Sequence, residues 1–313
     1  MLRYVASRLL LAVPVFLGVA TIVFLVVRVI PGDPAVAALG DYASKEAVEA
    51  LRQRMGLDEP LLVQYTRFLA GLARGDLGRS MITGASVREQ IAHALPYTLE
   101  LTLGAVLVGA LLGIPVGVYT AIRRNRLADY LGRVFSLAGL SVPAFYLGIL
   151  LTLLVALRLG WLPAVGGGDA ADAGDRLRHL VLPALTLGLV MTASVARLTR
   201  SAMLGVLRQD YVRTARAKGL AEGAVRLRHA LGSALIPIVS ITGLWAVSLI
   251  GDSVTVEVVF ARPGLGKMMV GAILQRDYTA LQSVMVVYTA FVVGINLVTD
   301  LAYAWVDPRV SRG

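Results

Sequence analysis

Six stretches of the chain are nearly free of charge and long: 9–30, 97–122, 131–157, 180–198, 235–260 and 284–305. A bilayer core of about 30 Å needs roughly 20 apolar residues per helix, so the pattern predicts an all-α polytopic membrane protein with six transmembrane helices. Between the first two runs the pattern changes to amphipathic. Glu46, Ala47, Val48, Leu51, Met55 and Leu57 fit a short helix after an N-cap at Ser44, and Leu62, Tyr65, Leu69 and Leu72 share one side of a second. The segment 31–95 therefore reads as a small ordered cap rather than a solvated loop. In the second run Gly109, Gly113 and Gly117 recur at four-residue spacing, which strips one helix face and predicts close approach of a neighbouring backbone. Pro115 in the same stretch offers a hinge, since proline removes a backbone donor and bends helices.

Composition agrees: of 313 residues, 57% are hydrophobic and 16% charged, more apolar surface than one water-soluble core can hide. The net charge of +10 raises the question of nucleic acid, but its distribution argues against it. Arginines collect at alternate ends of the runs: Arg3 and Arg8; Arg123, Arg124, Arg126 and Arg133; Arg197 through Arg228; Arg309 and Arg312. This is the positive-inside bias of short loops and places both termini in the cytoplasm. The first run is longer than a signal-peptide core, and Arg28-Val-Ile-Pro-Gly-Asp33 offers no small-x-small cleavage site, so it is expected to remain as a helix. Cysteine is absent, which excludes disulfides and thiolate-bound metals.

Catalytic and metal chemistry are not legible. The nearest approach to a phosphate-cradling loop is Ala261-Arg-Pro-Gly-Leu-Gly-Lys-Met268, where Ala261 replaces the first glycine and Met268 the magnesium-binding hydroxyl. ATP hydrolysis must then come from another chain. His93, His179 and His229 lie in different segments, none in a metal-binding spacing. The reading is no enzyme, no cofactor and no metal site on this chain.

Two features carry function. The segment 199–234 is long for a cytoplasmic connector and arginine-rich. Its part Asp210-Tyr211-Val-Arg213-Thr214-Ala215-Arg216-Ala-Lys218-Gly219-Leu220 predicts a short surface helix stopped by glycine, with Leu207, Tyr211 and Ala215 on one face. Such a helix is either an inert loop or a partner's docking element. Ionisable groups in or beside apolar runs are expensive and mark pathways; they are Arg28, Glu100, Asp252, Glu257 and Asp300. Arg28, Glu100 and Asp300 lie near run ends, where snorkelling or a helix-terminus role accounts for them. Asp252 and Glu257, late in the fifth run, are the candidates to face a water-filled cavity.

Ordered motifs then point to a family. Met1-Leu-Arg-Tyr4, Arg28-Val-Ile-Pro-Gly-Asp-Pro34, Gly75-Asp-Leu-Gly-Arg-Ser80, Leu95-Pro-Tyr-Thr-Leu-Glu100, Leu182-Pro-Ala-Leu185, the segment from Asp210 to Leu220, Arg228-His-Ala-Leu231, Pro263-Gly-Leu-Gly266 and Asp307-Pro-Arg309 follow one another along the chain. On these the sequence resembles, over essentially its whole length, the membrane permeases of dipeptide, oligopeptide, nickel and glutathione ABC importers. The resemblance implies a type I importer permease fold in the bacterial inner membrane. It implies a second homologous permease, two cytoplasmic ABC ATPase subunits that bind ATP and Mg, and an extracytoplasmic substrate-binding protein; lipid is the remaining contact.

By the same resemblance the chain divides into a first transmembrane helix at 1–30, an extracytoplasmic insertion at 31–95, a five-helix core at 96–306 containing the coupling loop 199–234, and a cytoplasmic tail at 307–313. The coupling loop would carry the Glu-Ala-Ala motif that docks on the ATPases, with Asp210, Tyr211, Arg213, Thr214, Ala215, Arg216, Lys218, Gly219 and Leu220 in that role. Here Ala215, Gly219 and Leu231 fit, Arg213 and Thr214 replace the first two residues, and Pro237 comes late, as in a peptide-permease version. The leading alternative is a secondary transporter driven by an ion gradient, which would show inverted repeats and broken midplane helices. An intramembrane enzyme lacks its catalytic residues, and a passive channel is the remaining reading.

Overall fold

The computed structural model describes residues 2–29, 33–40 and 43–306, so the motif Asp307-Pro-Arg309, the tail and the middle of the motif after Arg28 lie outside the described residues. The helices in chain order are α1 (Leu2–Val29), α2 (Pro34–Leu39), α3 (Lys45–Met55), α4 (Leu61–Ala73) and α5 (Val87–Ile122). They continue with α6 (Leu127–Ser141), α7 (Ala144–Leu151), α8 (Ala173–Val206), α9 (Asp210–Ala217) and α10 (Glu222–Ala224). The last three are α11 (Gly232–Val259), α12 (Leu265–Leu274) and α13 (Tyr278–Val306). π-Helical turns extend α7 over Thr152–Arg158 and join α10 to α11 over Val225–Leu231.

Among the described residues, five stretches are long and apolar enough to cross a bilayer: Arg8–Val29, Val87–Ile122, Ala173–Val206, Glu222–Val259 and Tyr278–Leu301. A sixth exists if the pair Leu127–Ser141 and Ala144–Arg158 is one span, and here the sequence reading needs correction. The run 131–157 is not one straight helix, because the two pieces meet at 102°. Val142 precedes Pro143, and proline's ring drives the residue before it out of the α region; Val142 is extended at φ −91°, ψ 121°. Pro143 is the N-cap before Ala144, the first residue of α7, where its missing N–H breaks no intrahelical bond. Helices α5 and α8 also run past their apolar windows, since hydropathy reads the hydrocarbon slab and not the hydrogen-bonded length.

The chain divides into two compact units. The smaller comprises Ala6–Thr98 and Pro263–Val293. The expected amphipathic helices form there: Ser44 caps α3 by accepting from the Ala47 N–H, and Gly56 ends it in the left-handed conformation at φ +64°. Helix α4 packs on α1 through Phe24, stacked on Phe68 at 5.5 Å and edge-on to Tyr65 at 5.2 Å. A second cluster joins Val87 and Ile91 of α5, Leu265 of α12, and Tyr278, Leu281 and Val284 of α13. Helices α2 and α12 were not foreseen, both being too short to show a convincing period.

The larger unit is built on Leu99–Arg262 and the α13 residues from Gly294. Its spine is α5 against α8, and the small-residue face does what its spacing predicts. A Cβ on Gly109 would lie 2.6 Å from Met191, one on Gly113 2.8 Å from Val195, and one on Gly117 2.5 Å from Thr199. Gly188 of α8 returns the fit, its absent Cβ falling 2.5 Å from Val108. The helices therefore touch backbone to side chain along three turns, the close packing available only to glycine. Helix α5 continues through Pro115 without interruption.

Candidate functional site

The segment Asp210 to Leu220 folds as expected into a short helix with a sharp stop. Asp210 sits in the first turn and Arg216 in the last, the favourable arrangement for the helix dipole. Gly219 adopts φ +74° with open space around it, so glycine is needed for the conformation and not for room. The buried face differs from the expected one. Val212 and Ala215 pack with Val225 of the following π turn and with Val206 and Leu207, while Tyr211 is 45% exposed. Leu207 and Ala215 lie on the buried side as expected, whereas Val212 takes the place of Tyr211, because α8 ends at Val206 and α9 begins a new helix at Asp210.

Ion pairs fasten the loop to itself. Glu222 accepts from Arg216 at 2.7 Å and from Arg226 at 3.0 Å, and Asp210 pairs loosely with Arg213 at 3.4 Å. Hydrogen bonds from both arginines hold the Glu222 carboxyl below its ordinary range. Such exposed pairs are worth about 0–1 kcal/mol each, so the apolar contacts of Val212 and Ala215 do more to fix the helix. What remains outward is a surface of Tyr211, Arg213, Lys218 and Leu220. Tyr211 and Leu220 are about half exposed among the described residues, and the helix is backed by the packed side chains of Val212 and Ala215.

The two pathway candidates separate. Asp252 and Glu257 both lie on α11, but Glu257 is fully buried among its own chain's side chains, whereas Asp252 is exposed. Asp252 stands in a stripe with Ser248 and Thr255, all exposed and spaced three or four residues apart, which the exposed apolar Leu244 ends. Part of one face of an otherwise apolar helix is thus polar. A carboxylate there is costly against lipid and tolerable against water or protein.

Charges that look peripheral in the sequence turn out to organise the core. Glu100 is an ion-pair hub, accepting from Arg176 Nε at 3.2 Å and from Arg262 Nη2 at 2.7 Å, and Arg262 is 0% exposed. The snorkelling account of Glu100 is therefore replaced by a specific one. Nothing in the sequence singled out Arg262, whose place directly before Pro263 was the available signal. Asp129, also 0% exposed, receives both Nε and Nη2 of Arg200 and the N–H of Asn125, tying the start of α6 to α8. Arg28 lies 3.5 Å over the Phe24 ring and donates to Gln64, so it is held by the smaller unit's own side chains.

Two of the motifs acquire structural jobs. In Gly75-Asp-Leu-Gly-Arg-Ser80, the Leu77 carbonyl accepts from Ser283 and the Ser80 hydroxyl bonds to Asp277. Asp277, in turn, caps α13 through the Ala280 N–H. In Leu95-Pro-Tyr-Thr-Leu-Glu100, the Thr98 hydroxyl accepts from the Leu265 N–H and caps α12. These are clasps that place helices, not contacts for a substrate.

Comparison with known proteins agrees with this architecture. Residues 113–312 match the family described as binding-protein-dependent transport system inner membrane component, and residues 1–102 match its N-terminal membrane component. The chain is similar to the dipeptide transport system permease protein DppB of Alkalihalophilus pseudofirmus, 40% identical over 99% of this chain and 100% of that one. It is 42% identical to the glutathione transport system permease protein GsiC of Salmonella paratyphi A, over 99% of each chain. Among solved structures, an inward-facing MetNI methionine ABC transporter matches with TM-score 0.55 and 20% identity, covering 69% of this chain and 96% of that one, a likeness of fold.

Proposed function

Because the chain belongs to the family of binding-protein-dependent transport system inner membrane components, we propose that α9 and the turn to Leu220 are its contact with the ATP-hydrolysing subunits. The chain is a permease subunit of an ABC importer, a multi-pass inner-membrane protein and not an enzyme. The ion-gradient alternative finds no support in its relatives. The observation that supports the coupling role is the outward surface of Tyr211, Arg213, Lys218 and Leu220 on a helix packed from behind through Val212 and Ala215. A lever must not bend where it is pushed, and this one is backed by packed side chains and stopped by Gly219.

The complex in this proposal holds a second homologous permease, two ATPases carrying ATP and Mg, and an extracytoplasmic binding protein. The N-terminus, the loop 199–234 and the tail 307–313 are cytoplasmic, and the insertion 31–95 faces the binding protein. Nucleotide-driven closure of the ATPases moves α9, and the bundle, with its partner, alternates the access of a shared pathway. The polar stripe of α11 lines that pathway, with Asp252 toward water and Glu257 acting within the chain's own core. Short peptides are the proposed cargo, since both named relatives carry peptide-like solutes.

Single cysteines in this cysteine-free chain test the arrangement. A cysteine at 172 should react with an impermeant maleimide from outside. One at 213 should react only after the cytoplasmic side is opened and should be shielded by the ATPases, while one at 252 should react from water despite its apolar helix. Labelling of 213 from outside, or no shielding of it in the assembled complex, would refute the coupling assignment.

A further inference from the structure

A cavity of about 290 Å³ in the larger unit lies between α5, α6 and α8, away from the coupling surface and the polar stripe. Its position follows from two close approaches. Helix α6 touches α5 at Gly132, where a Cβ would collide with Thr120, and touches α8 at Gly139, where it would lie 2.7 Å from Ala193. Between these contacts the helices stand apart. Val116, Leu137, Leu140 and Ala196 give the cavity an apolar floor, and Arg133 and Arg197 stand at its edge.

The charges there do not balance. Arg200, also on the lining, is committed to Asp129, its Nη2 at 2.9 Å. Arg133 reaches the same carboxylate only at 3.9 Å and lies over the Tyr130 ring at 4.5 Å. Arg197 is exposed and forms no ion pair among the described residues. The lining therefore carries three guanidinium groups, of which Arg200 alone is closely paired with the buried Asp129, beside a floor of hydrocarbon. The site is near the end of α5 that leads into Arg123, Arg124 and Arg126, an arginine cluster of the kind that the positive-inside bias sets at the cytoplasmic end of a span.

We propose that this cavity binds an anionic phospholipid, its phosphodiester held by Arg133 and Arg197 and the first part of an acyl chain lying on Leu137, Leu140 and Val116. The pairing of chemistries decides the occupant. A phosphodiester neutralises the excess guanidinium charge with charge-assisted hydrogen bonds, and basic pockets between membrane helices are suited to acidic headgroups. A free phosphate would satisfy the arginines and leave the apolar floor unused. The outward residues Leu127, Leu131 and Val134 make α6 a lipid-facing helix, which brings the ligand to the site by default.

The test uses the full chain in nanodiscs of phosphatidylglycerol or phosphatidylcholine with matched acyl chains, transferred to detergent, with retained lipid counted by native mass spectrometry. Wild-type protein should retain phosphatidylglycerol in roughly twenty-five-fold excess over phosphatidylcholine, at about fivefold per guanidinium. In Arg133→Gln/Arg197→Gln that excess should be lost, while Arg133→Lys/Arg197→Lys should keep most of it at unchanged thermal stability. Equal retention of the two lipids, or undiminished phosphatidylglycerol in the glutamine variant, overturns the proposal. Displacement by millimolar inorganic phosphate would make it a free-anion site instead. Cross-linking of a Leu137→Cys variant to another transporter subunit would make it a protein interface.

Discussion

Leu220→Asp and Tyr211→Asp are each expected to cut binding-protein-stimulated ATP hydrolysis and uptake roughly tenfold or more, with the chain itself folded and inserted normally. Both side chains are about half exposed and neither belongs to the packed group behind the helix, so the isolated chain loses little. Under the proposed docking each introduces a carboxylate into a surface that closes against an ATPase subunit. An unpaired charge buried at an interface costs several kcal/mol, and about 1.4 kcal/mol is a factor of ten in association. Pull-down of the ATPases together with uptake measures it, and full recovery of both would detach α9 from coupling. Ala215 is not a clean probe of docking. It is 7% exposed and packs inward with Val212 and Val225, so Ala215→Trp would break the brace before it touched a partner.

Glu100→Ala should be the most destabilising single change in the larger unit, about 3 kcal/mol, and should exceed Arg176→Ala. The glutamate accepts from both Arg176 and Arg262, and Arg262 has no exposed surface through which water could replace the lost carboxylate. Removing one partner of a buried ion pair costs about 3–5 kcal/mol because the other charge stays buried; the partial exposure of Glu100 argues for the lower end. Arg176 is partly exposed, so its loss leaves Glu100 with Arg262 and access to solvent. Thermal unfolding in detergent ranks the two variants, and a Glu100→Ala protein as stable as wild type would show that the hub holds nothing together.

The element types were legible where one physical signal dominated. Apolar length gave the spans, Ser44 and Gly56 gave the ends of α3, and four-residue glycine spacing gave the α5 and α8 contact. The break at Val142 and Pro143 was legible in principle, but the apolar run on either side concealed it. Hydropathy is blind to proline geometry, and a run that reads as one span can fold as two pieces. Helix α9 was legible in extent and stop, whereas its buried face depended on where α8 ended, a boundary that periodicity fixes poorly.

Long-range polar partners were not legible at all. Glu100 meets Arg262 across 162 positions, and Ser80 meets Asp277 across 197, with no periodic pattern to connect them. Their motifs were visible as resemblance, but the reason for each residue came only from the fold. The same holds for Asp252 and Glu257, five residues apart on one helix and indistinguishable by type. Their exposures separate them because 100° per residue turns them to different neighbours.

The central claim, that this chain is a permease that moves solute only when separate subunits hydrolyse ATP, is tested most directly by uptake into proteoliposomes. The chain is reconstituted with the proposed second permease, two ATPases and binding protein, and accumulation of labelled dipeptide or glutathione is followed. Uptake is expected to require ATP on the ATPase side and the binding protein on the other, to persist when proton and sodium gradients are collapsed, and to vanish when the ATPases are omitted. Gradient-driven uptake by the chain without ATPases would contradict the account.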